Sequence, residues 1–240
     1  MIDCDTNNYD FTFAHREEGF DDHIEHSIRG YSNLLDDVVS YSRYFVEDGT
    51  NVVDIGCSTG KVTERIILEN QDHCAEAHYV GVELASGFHK DLDDRFCDIT
   101  TKNPWADLEF VKGDIRDYKF ENCSLVTSIF TLQFMPPRHR REVLEKVYKG
   151  LNCGGAFIFA EKTVAEDPRV QEMITFNYYD YKRNNFTTED IMDKERTLRH
   201  MMKPNTWKEI VSNLSIAGFA FDKIQPFWRN HMFVGAIAIK

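Results

Sequence analysis

The sequence predicts an α/β protein built on a doubly wound mixed sheet of seven strands, with helices in front of it and a helical insertion before the last helix. Three observations carry this. Five short apolar segments of strand length alternate with helix-length stretches that each keep a polar face. The chain closes on one more helix and two strands joined by "WRNH", which makes that pair antiparallel. The first strand exits into an acid and two glycines, "DIGCSTG", where an open α/β sheet holds its ligand.

The elements follow in order. From Asp21 to about Phe45, Ile24, Ile28, Tyr31, Leu34, Leu35, Val38 and Val39 recur at spacings of three and four, an amphipathic helix broken near Gly30. The strands are "NVVDI" (51–55), "HYVGVEL" (78–84), "LEFVKG" (108–113), "SLVTSIF" (124–130) and "GAFIFAE" (155–161), all rich in branched and aromatic residues. "GKVTERIILEN", "SGFHKDLDDRF" and "RHRREVLEKVYKGL" supply the helices between them. Residues 167–200, dense in charge and aromatics, read as helical and too polar to be core. Pro204 and Gly218 then bracket the helix "TWKEIVSNLSIAGF", followed by the strands "AFDKIQPF" and "MFVGAIAI". The expected organisation is a single domain, 1–240, with a helical cap (1–48), a nucleotide-binding core (49–162), a helical lid (163–203) and a closing helix and strands (204–240).

Composition narrows the function. With 40 acidic against 28 basic residues the formal charge is -12, which argues against a broad grip on nucleic acid or anionic lipid. The six cysteines, at 4, 57, 74, 97, 123 and 153, form no CxxC and no pair at metal-ligand spacing, as expected of reduced thiols in the cytoplasm. The start, "MIDCDTNNYDFTF", lacks the apolar segment of a signal peptide, and no apolar run is long enough to span a bilayer. A soluble, intracellular protein without a membrane partner is expected.

The D-x-G-x-x-x-G of Asp54, Gly56 and Gly60 differs from the dinucleotide spacing G-x-G-x-x-G. Its glycines let a ligand approach the backbone, and the helix starting near Gly60 turns free amides toward it. An acid at the strand exit repels a pyrophosphate and suits a ligand with a positive centre. The second strand ends in Glu83, placed to accept from both hydroxyls of a ribose. The third runs into "KGDIRD", where Asp114 can accept from an adenine amino group. Each feature has a plainer reading: a glycine after a strand makes a turn, and an acid ending a strand caps the next helix. Three in register on consecutive strands outweigh those readings and specify an adenosine carrying a cation.

That combination resembles the class I S-adenosylmethionine-dependent methyltransferases, whose sheet is Rossmann-like. "GYSNLL" (30–35), "DIGCSTG" (54–60), "KGDIRDY" (112–118), "FTLQFMPP" (130–137), "VYKGLNCGGAFIFAEK" (147–162), "DYKRNN" (180–185) and "AGF" (217–219) resemble the carboxy-S-adenosyl-L-methionine synthase family, also labelled tRNA uridine 5-oxyacetic acid methyltransferase, over residues 20 to 240. The resemblance implies that Gly56, Cys57 and Ser58 cradle the methionine end and ribose, and that Glu83, with Leu84 beside it, replaces the family's Asp on the ribose. Asp114 and Ile115 hold the adenine. Tyr31 closes over the ligand, and Arg196 receives the ligand's extra carboxylate through a planar fork, with Arg199 a neighbouring candidate. Tyr31 and Arg196 are thus the implied catalytic pair.

One position departs from the family. Its Asn on the fourth strand, a ligand contact, is Ile129 here, at the loss of a hydrogen bond of about 1 kcal/mol. Two enzymatic readings therefore stay open, with either S-adenosylmethionine or its carboxylated form as the bound compound. In one, S-adenosylmethionine and prephenate give carboxy-S-adenosylmethionine and phenylpyruvate, without a metal, and the product serves a separate enzyme acting on a wobble uridine of tRNA. In the other, the methyl passes to an unidentified acceptor. A catalytically silent binding partner is the third reading, against which the intact glycine loop and acids weigh. The resemblance also implies a homodimer with no direct contact to nucleic acid.

Other features read as surface. Arg138, His139, Arg140 and Arg141 form the polar face of a helix whose apolar side is Val143, Leu144 and Val147. Phe176, Tyr178, Tyr179 and Tyr181 suit a lid or a dimer surface, and His26 and His200 a solvated one.

Overall fold

The computed structural model describes residues 19–74 and 76–240. The first 18 residues, with Cys4 and the start of the expected cap, lie outside the described residues. Helices α1 (Phe20–Ser27) and α2 (Tyr31–Ser42) are separated at Gly30, whose φ of 75° ends one and starts the other. Then come β1 (Asn51–Ile55), α3 (Lys61–Asn70), β2 (His78–Glu83), α4 (His89–Lys102), β3 (Asp107–Lys112), β4 (Cys123–Ile129), α5 (Pro137–Gly150) and β5 (Leu151–Val164). The insertion is α6 (Pro168–Lys182) and α7 (Thr188–Met201); β6 (Asn205–Thr206), α8 (Trp207–Ala217), β7 (Ile224–Asn230) and β8 (Phe233–Ile239) complete the chain.

The strand order is β3-β2-β1-β4-β5-β8-β7, with the two-residue β6 paired to β5 off this path. Strands β1 to β5 run parallel, while β8 lies antiparallel between β5 and β7. The chain winds outward from β1 on both sides, so the order reverses between β1 and β4. Strand alternation sorts side chains to two cores. Val52, Leu125 and Ile158 pack with α2, α3 and Tyr178 on one face; Val53, Val126, Phe157 and Phe159 pack with α5 and α8 on the other.

The differences from expectation have local causes. Strand β5 runs 14 residues rather than seven, because it serves β4, β8 and β6 in turn. "WRN" extends β7, and the hairpin turns on His231, at φ 48°. Helix α4 follows a single 3₁₀ turn (Ser86–Phe88) and continues beyond Phe96. The insertion is not all surface: Tyr178, Lys182, Ile191 and Glu195 are buried, since α6 and α7 press one stripe each against the sheet's carboxyl edge. Its helices are well begun, α6 capped by Asp167 and α7 by a Thr187–Asp190 capping box.

Arg140 also leaves the expected polar face. It is 4% exposed, donating from Nε to the Met135 carbonyl (2.8 Å), from Nη2 to the Gln133 carbonyl (2.9 Å) and from Nη1 to Asn205. It thereby fastens the loop after β4 to β6. Burial lowers its pKa against the opposing charge of Glu161, whose own carboxyl burial pushes up to about 8. Arg140→Leu leaves those carbonyls unpaired, and a loss of roughly 3 kcal/mol is expected, read as a lower urea midpoint at unchanged slope.

Candidate functional site

A cavity of about 580 Å³ opens beyond the carboxyl ends of the parallel strands. The sequence-predicted Gly56, Glu83 and Asp114 all line it, as do Tyr31, Asp54, Cys57, Ser58, Leu84, Ile115 and Ile129. Gly60 is not on its wall; at φ 76° it caps α3 and lets the loop turn into the helix.

The loop after β1 is held by its own hydrogen bonds. Gly56 N and Cys57 N donate to the Val82 carbonyl at 2.8 and 3.2 Å, and Ser58 N donates to Glu83 Oε2 at 2.8 Å. These amides are therefore engaged in closing the loop onto β2 rather than free to meet a ligand. Gly56 has φ 67°, and a Cβ there would lie 2.3 Å from the Thr131 side chain. Only glycine fits. Ser58, at φ 55°, leaves its Oγ buried with no partner, a polar atom on the cavity wall that a ligand hydroxyl or amine can satisfy.

Asp54 is buried beneath this loop. Oδ1 accepts from Thr127 (2.8 Å) and Oδ2 from Thr63 (2.9 Å), so it pins β4 and the first turn of α3 to β1. Burial raises its pKa to about 6, opposed by the two hydroxyls. Glu83 accepts from Ala85 N at 2.7 Å as well as from Ser58; burial raises its carboxyl too, opposed by these amides. Asp114 differs. Burial would raise it, but Arg116, donating from Nε and Nη2 at 2.9 and 2.6 Å and from its amide, holds the carboxyl low and ionised. Leu84, 47% exposed at the rim, and buried Ile115 supply apolar surface near Asp114. Tyr31 is buried, with a pKa raised by burial and by Asp21 and Asp54, and its ring centroid lies 6.3 Å from that of Phe130.

Arg196 does not reach the cavity. Its side chain is 78% exposed and pairs with Asp193 at 2.9 Å; Arg199 is exposed as well. The cause is helical phase: α7 turns Lys194, Thr197, Leu198 and Met201 to the cavity, the i, i+3, i+4, i+7 positions of one helix face, which leaves 196 and 199 elsewhere on the helix. Sequence reasoning missed several cations that line the wall, among them Lys162 from β5, Lys182 from α6 and Lys194 from α7, along with Lys61, Arg116, His139 and Gln133. The α7 spacing was the available signal for Lys194; Lys182 follows the buried Tyr178 by four on α6.

Cys57, Cys74, Cys97, Cys123 and Cys153 are free thiols. Among the described residues no three His, Cys, Asp or Glu side chains gather as a metal site, and no helix is long and apolar enough to cross a membrane.

Residues 52–155 match a methyltransferase domain family. The chain is similar to proteins named carboxy-S-adenosyl-L-methionine synthase: one from Staphylococcus epidermidis, 33% identical over 98% of this chain and 99% of that protein, and one from Shewanella baltica, 30% identical over 96% and 93%. Among solved structures it resembles human N-acetylserotonin methyltransferase in complex with SAM, at a TM-score of 0.58 and 15% identity over 88% of this chain and 52% of that one. YcgJ from Bacillus subtilis matches with a TM-score of 0.57 and 14% identity, over 82% and 71%. At these identities the structures share the fold.

The Asp54 carboxyl is raised from 3.8 to about 6 by folding, so its contribution to stability is full below pH 3.8 and is lost as pH rises through about 6. Thr63 and Thr127 can rotate to serve an amide. Urea unfolding of Asp54→Asn and wild type across that range is expected to shift in the variant's favour as pH rises; a pH-independent difference overturns this.

Proposed function

Because the chain belongs to the carboxy-S-adenosyl-L-methionine synthase family, we propose that its cavity converts S-adenosylmethionine and prephenate to carboxy-S-adenosylmethionine and phenylpyruvate. The observation that carries this is the common cavity of Gly56, Glu83 and Asp114, on three neighbouring strands, with the unpartnered Ser58 Oγ among them. Strand order sets the layout. Asp114 takes the adenine, Glu83 the ribose hydroxyls, and the loop at Gly56 the methionine end, which brings the sulfonium toward β4 and Ile129. Tyr31 covers it from α2.

In the reaction prephenate loses carbon dioxide and its ring hydroxide, becoming aromatic; the hydroxide takes a proton from the sulfonium methyl, and that carbon bonds to the carbon dioxide. The chain's part is to position and to exclude water. Tyr31 and Phe130 are buried, and Phe130 packs on Phe233 at 5.5 Å, so the reacting end is walled by aromatic surface. Arg196 takes no part in this geometry, because its side chain stands in solvent.

The second reading is methyl transfer to another acceptor. Ile129 on the cavity wall favours it, since it offers no hydrogen bond where the resembling family has Asn. The proposal extends to the cytoplasm and to a product consumed by a separate enzyme of tRNA modification; the charge of -12 supports the absence of direct RNA contact. It extends also to a homodimer, supported by the exposed apolar stripe of Val170, Met173 and Phe176 on α6.

Incubation with S-adenosylmethionine and prephenate is expected to yield phenylpyruvate and a carboxylated S-adenosyl compound, read by mass spectrometry of the small molecules released on denaturation. S-adenosylhomocysteine in its place identifies the second reading. Glu83→Gln, which removes a charged acceptor, is expected to weaken S-adenosylmethionine about tenfold by calorimetry.

A further inference from the structure

The adenosine acids leave one end of the cavity unexplained. Lys182, in the last turn of α6, is 2% exposed and lines the cavity. Its Nζ stands 5.5 Å from the ring centroids of both Tyr178 and Phe186, and among the described residues no carboxylate pairs with it. Lys162, toward the end of β5, also faces the cavity; its Nζ lies 3.6 Å from Glu195 Oε1 and 5.6 Å from the Tyr178 centroid. Glu195 is buried and not on the cavity wall. One carboxylate thus faces two ammonium groups in a nearly dry corner, and burial lowers the pKa of both lysines. An aromatic face attracts a cation but accepts none of its three hydrogen bonds. A cation kept so dry needs an anion, and none of the described residues supplies a second one.

The position of the pair says which part of the chemistry it meets. Asp114 follows β3 and Lys162 lies in β5, four strands away in the order β3-β2-β1-β4-β5, roughly 19 Å at the usual strand spacing. The intervening ends of β2, β1 and β4 are those the adenosine, methionine and sulfonium occupy in the functional reading above, on which this inference rests. The lysines stand beyond the sulfonium, where the second substrate enters.

The geometry points to Lys182 and Lys162 as the anion subsite of the reaction, receiving a carboxylate. Two sources share that chemistry: a carboxylate of the free organic acid substrate, or the carboxyl group newly joined to the adenosyl product. Lys182 is the stronger determinant, because Lys162 already has Glu195 nearby. This wall supplies the positive charge that Arg196, in solvent, does not bring to the cavity.

The test compares wild type, Lys182→Met, Lys162→Gln and Lys182→Arg. KM for prephenate is measured at saturating S-adenosylmethionine, and calorimetry gives Kd for S-adenosylmethionine and for its carboxylated form. Lys182→Met is expected to raise the KM or the carboxylated-ligand Kd about tenfold or more, while Kd for S-adenosylmethionine stays within about twofold. A rise in KM alone assigns the subsite to the free acid; a rise in the carboxylated-ligand Kd assigns it to the product. Lys182→Arg, which keeps the charge, is expected to recover most of the loss. Lys182→Met is also expected to melt no lower than wild type, since it removes a buried unpaired charge. Unchanged handling of both carboxylates, or equal weakening of S-adenosylmethionine, overturns the subsite. If Lys182→Met does not fold, the same measurements on Lys162→Gln decide by the same criteria. A wild-type protein that binds no S-adenosyl compound overturns the functional reading and this inference with it; normal S-adenosylmethionine binding with unaltered carboxylate handling in the variants overturns only this inference.

Discussion

Everything at the cavity depends on keeping β1 and β4 together while the chain after each departs in opposite directions. Asp54 supplies that joint. Its carboxylate lies buried at the point of divergence and accepts one hydroxyl from β4 and one from α3, at 2.8 and 2.9 Å. Among the described residues no cation pairs with it. The arrangement is therefore held by hydrogen bonds in a low-dielectric place, where a satisfied acceptor is strongly directional and an unsatisfied one is costly. From this joint the glycine loop leans onto β2, and Glu83 ties the loop down through Ser58 and Ala85. The acid that reads as a ribose ligand is also the acid that shapes the loop beside it.

The cavity is electrically polar along the sheet. At the β2 and β3 end stand Glu83 and Asp114, the latter kept ionised by Arg116. At the β5 end stand Lys162, Lys182 and Lys194. A ligand with hydroxyls and an amine at one end and an anion at the other would be matched along its length. The whole-chain charge of -12 conceals this, because a sum over the surface carries no information about a gradient inside one cavity.

Below the cavity floor a second buried polar group sets geometry rather than chemistry. Arg140 gathers the carbonyls of Gln133 and Met135 and so fixes the loop that places Gln133, Phe134 and Met135 on the wall. Gln133 in turn accepts from the Lys162 amide at 2.6 Å, coupling that loop to the strand carrying the cationic corner. A basic cluster that looked like the solvated face of a helix thus contains an anchor, Arg140, and a cavity residue, His139.

Strand positions, their alternation and the glycine loop were legible in the sequence, because they depend on neighbours two to six residues away: Val52 and Val53 go to opposite cores by the pleat alone, and Gly56 and Gly60 mark backbone that a side chain would forbid. The acids at three successive strand ends were legible for the same reason, since strand register brings them to one edge. Which side of α6 and α7 faces that edge was not. Local sequence makes a helix but leaves its rotation about its own axis to packing, and here the burial of Tyr178, Ile191 and Glu195 settles it. The sequence alone determined which glycine loop and strand-end acids meet at one edge of the sheet; tertiary packing decided that Lys182, and not Arg196, faces the cavity, because that choice depends on contacts between segments far apart in the chain.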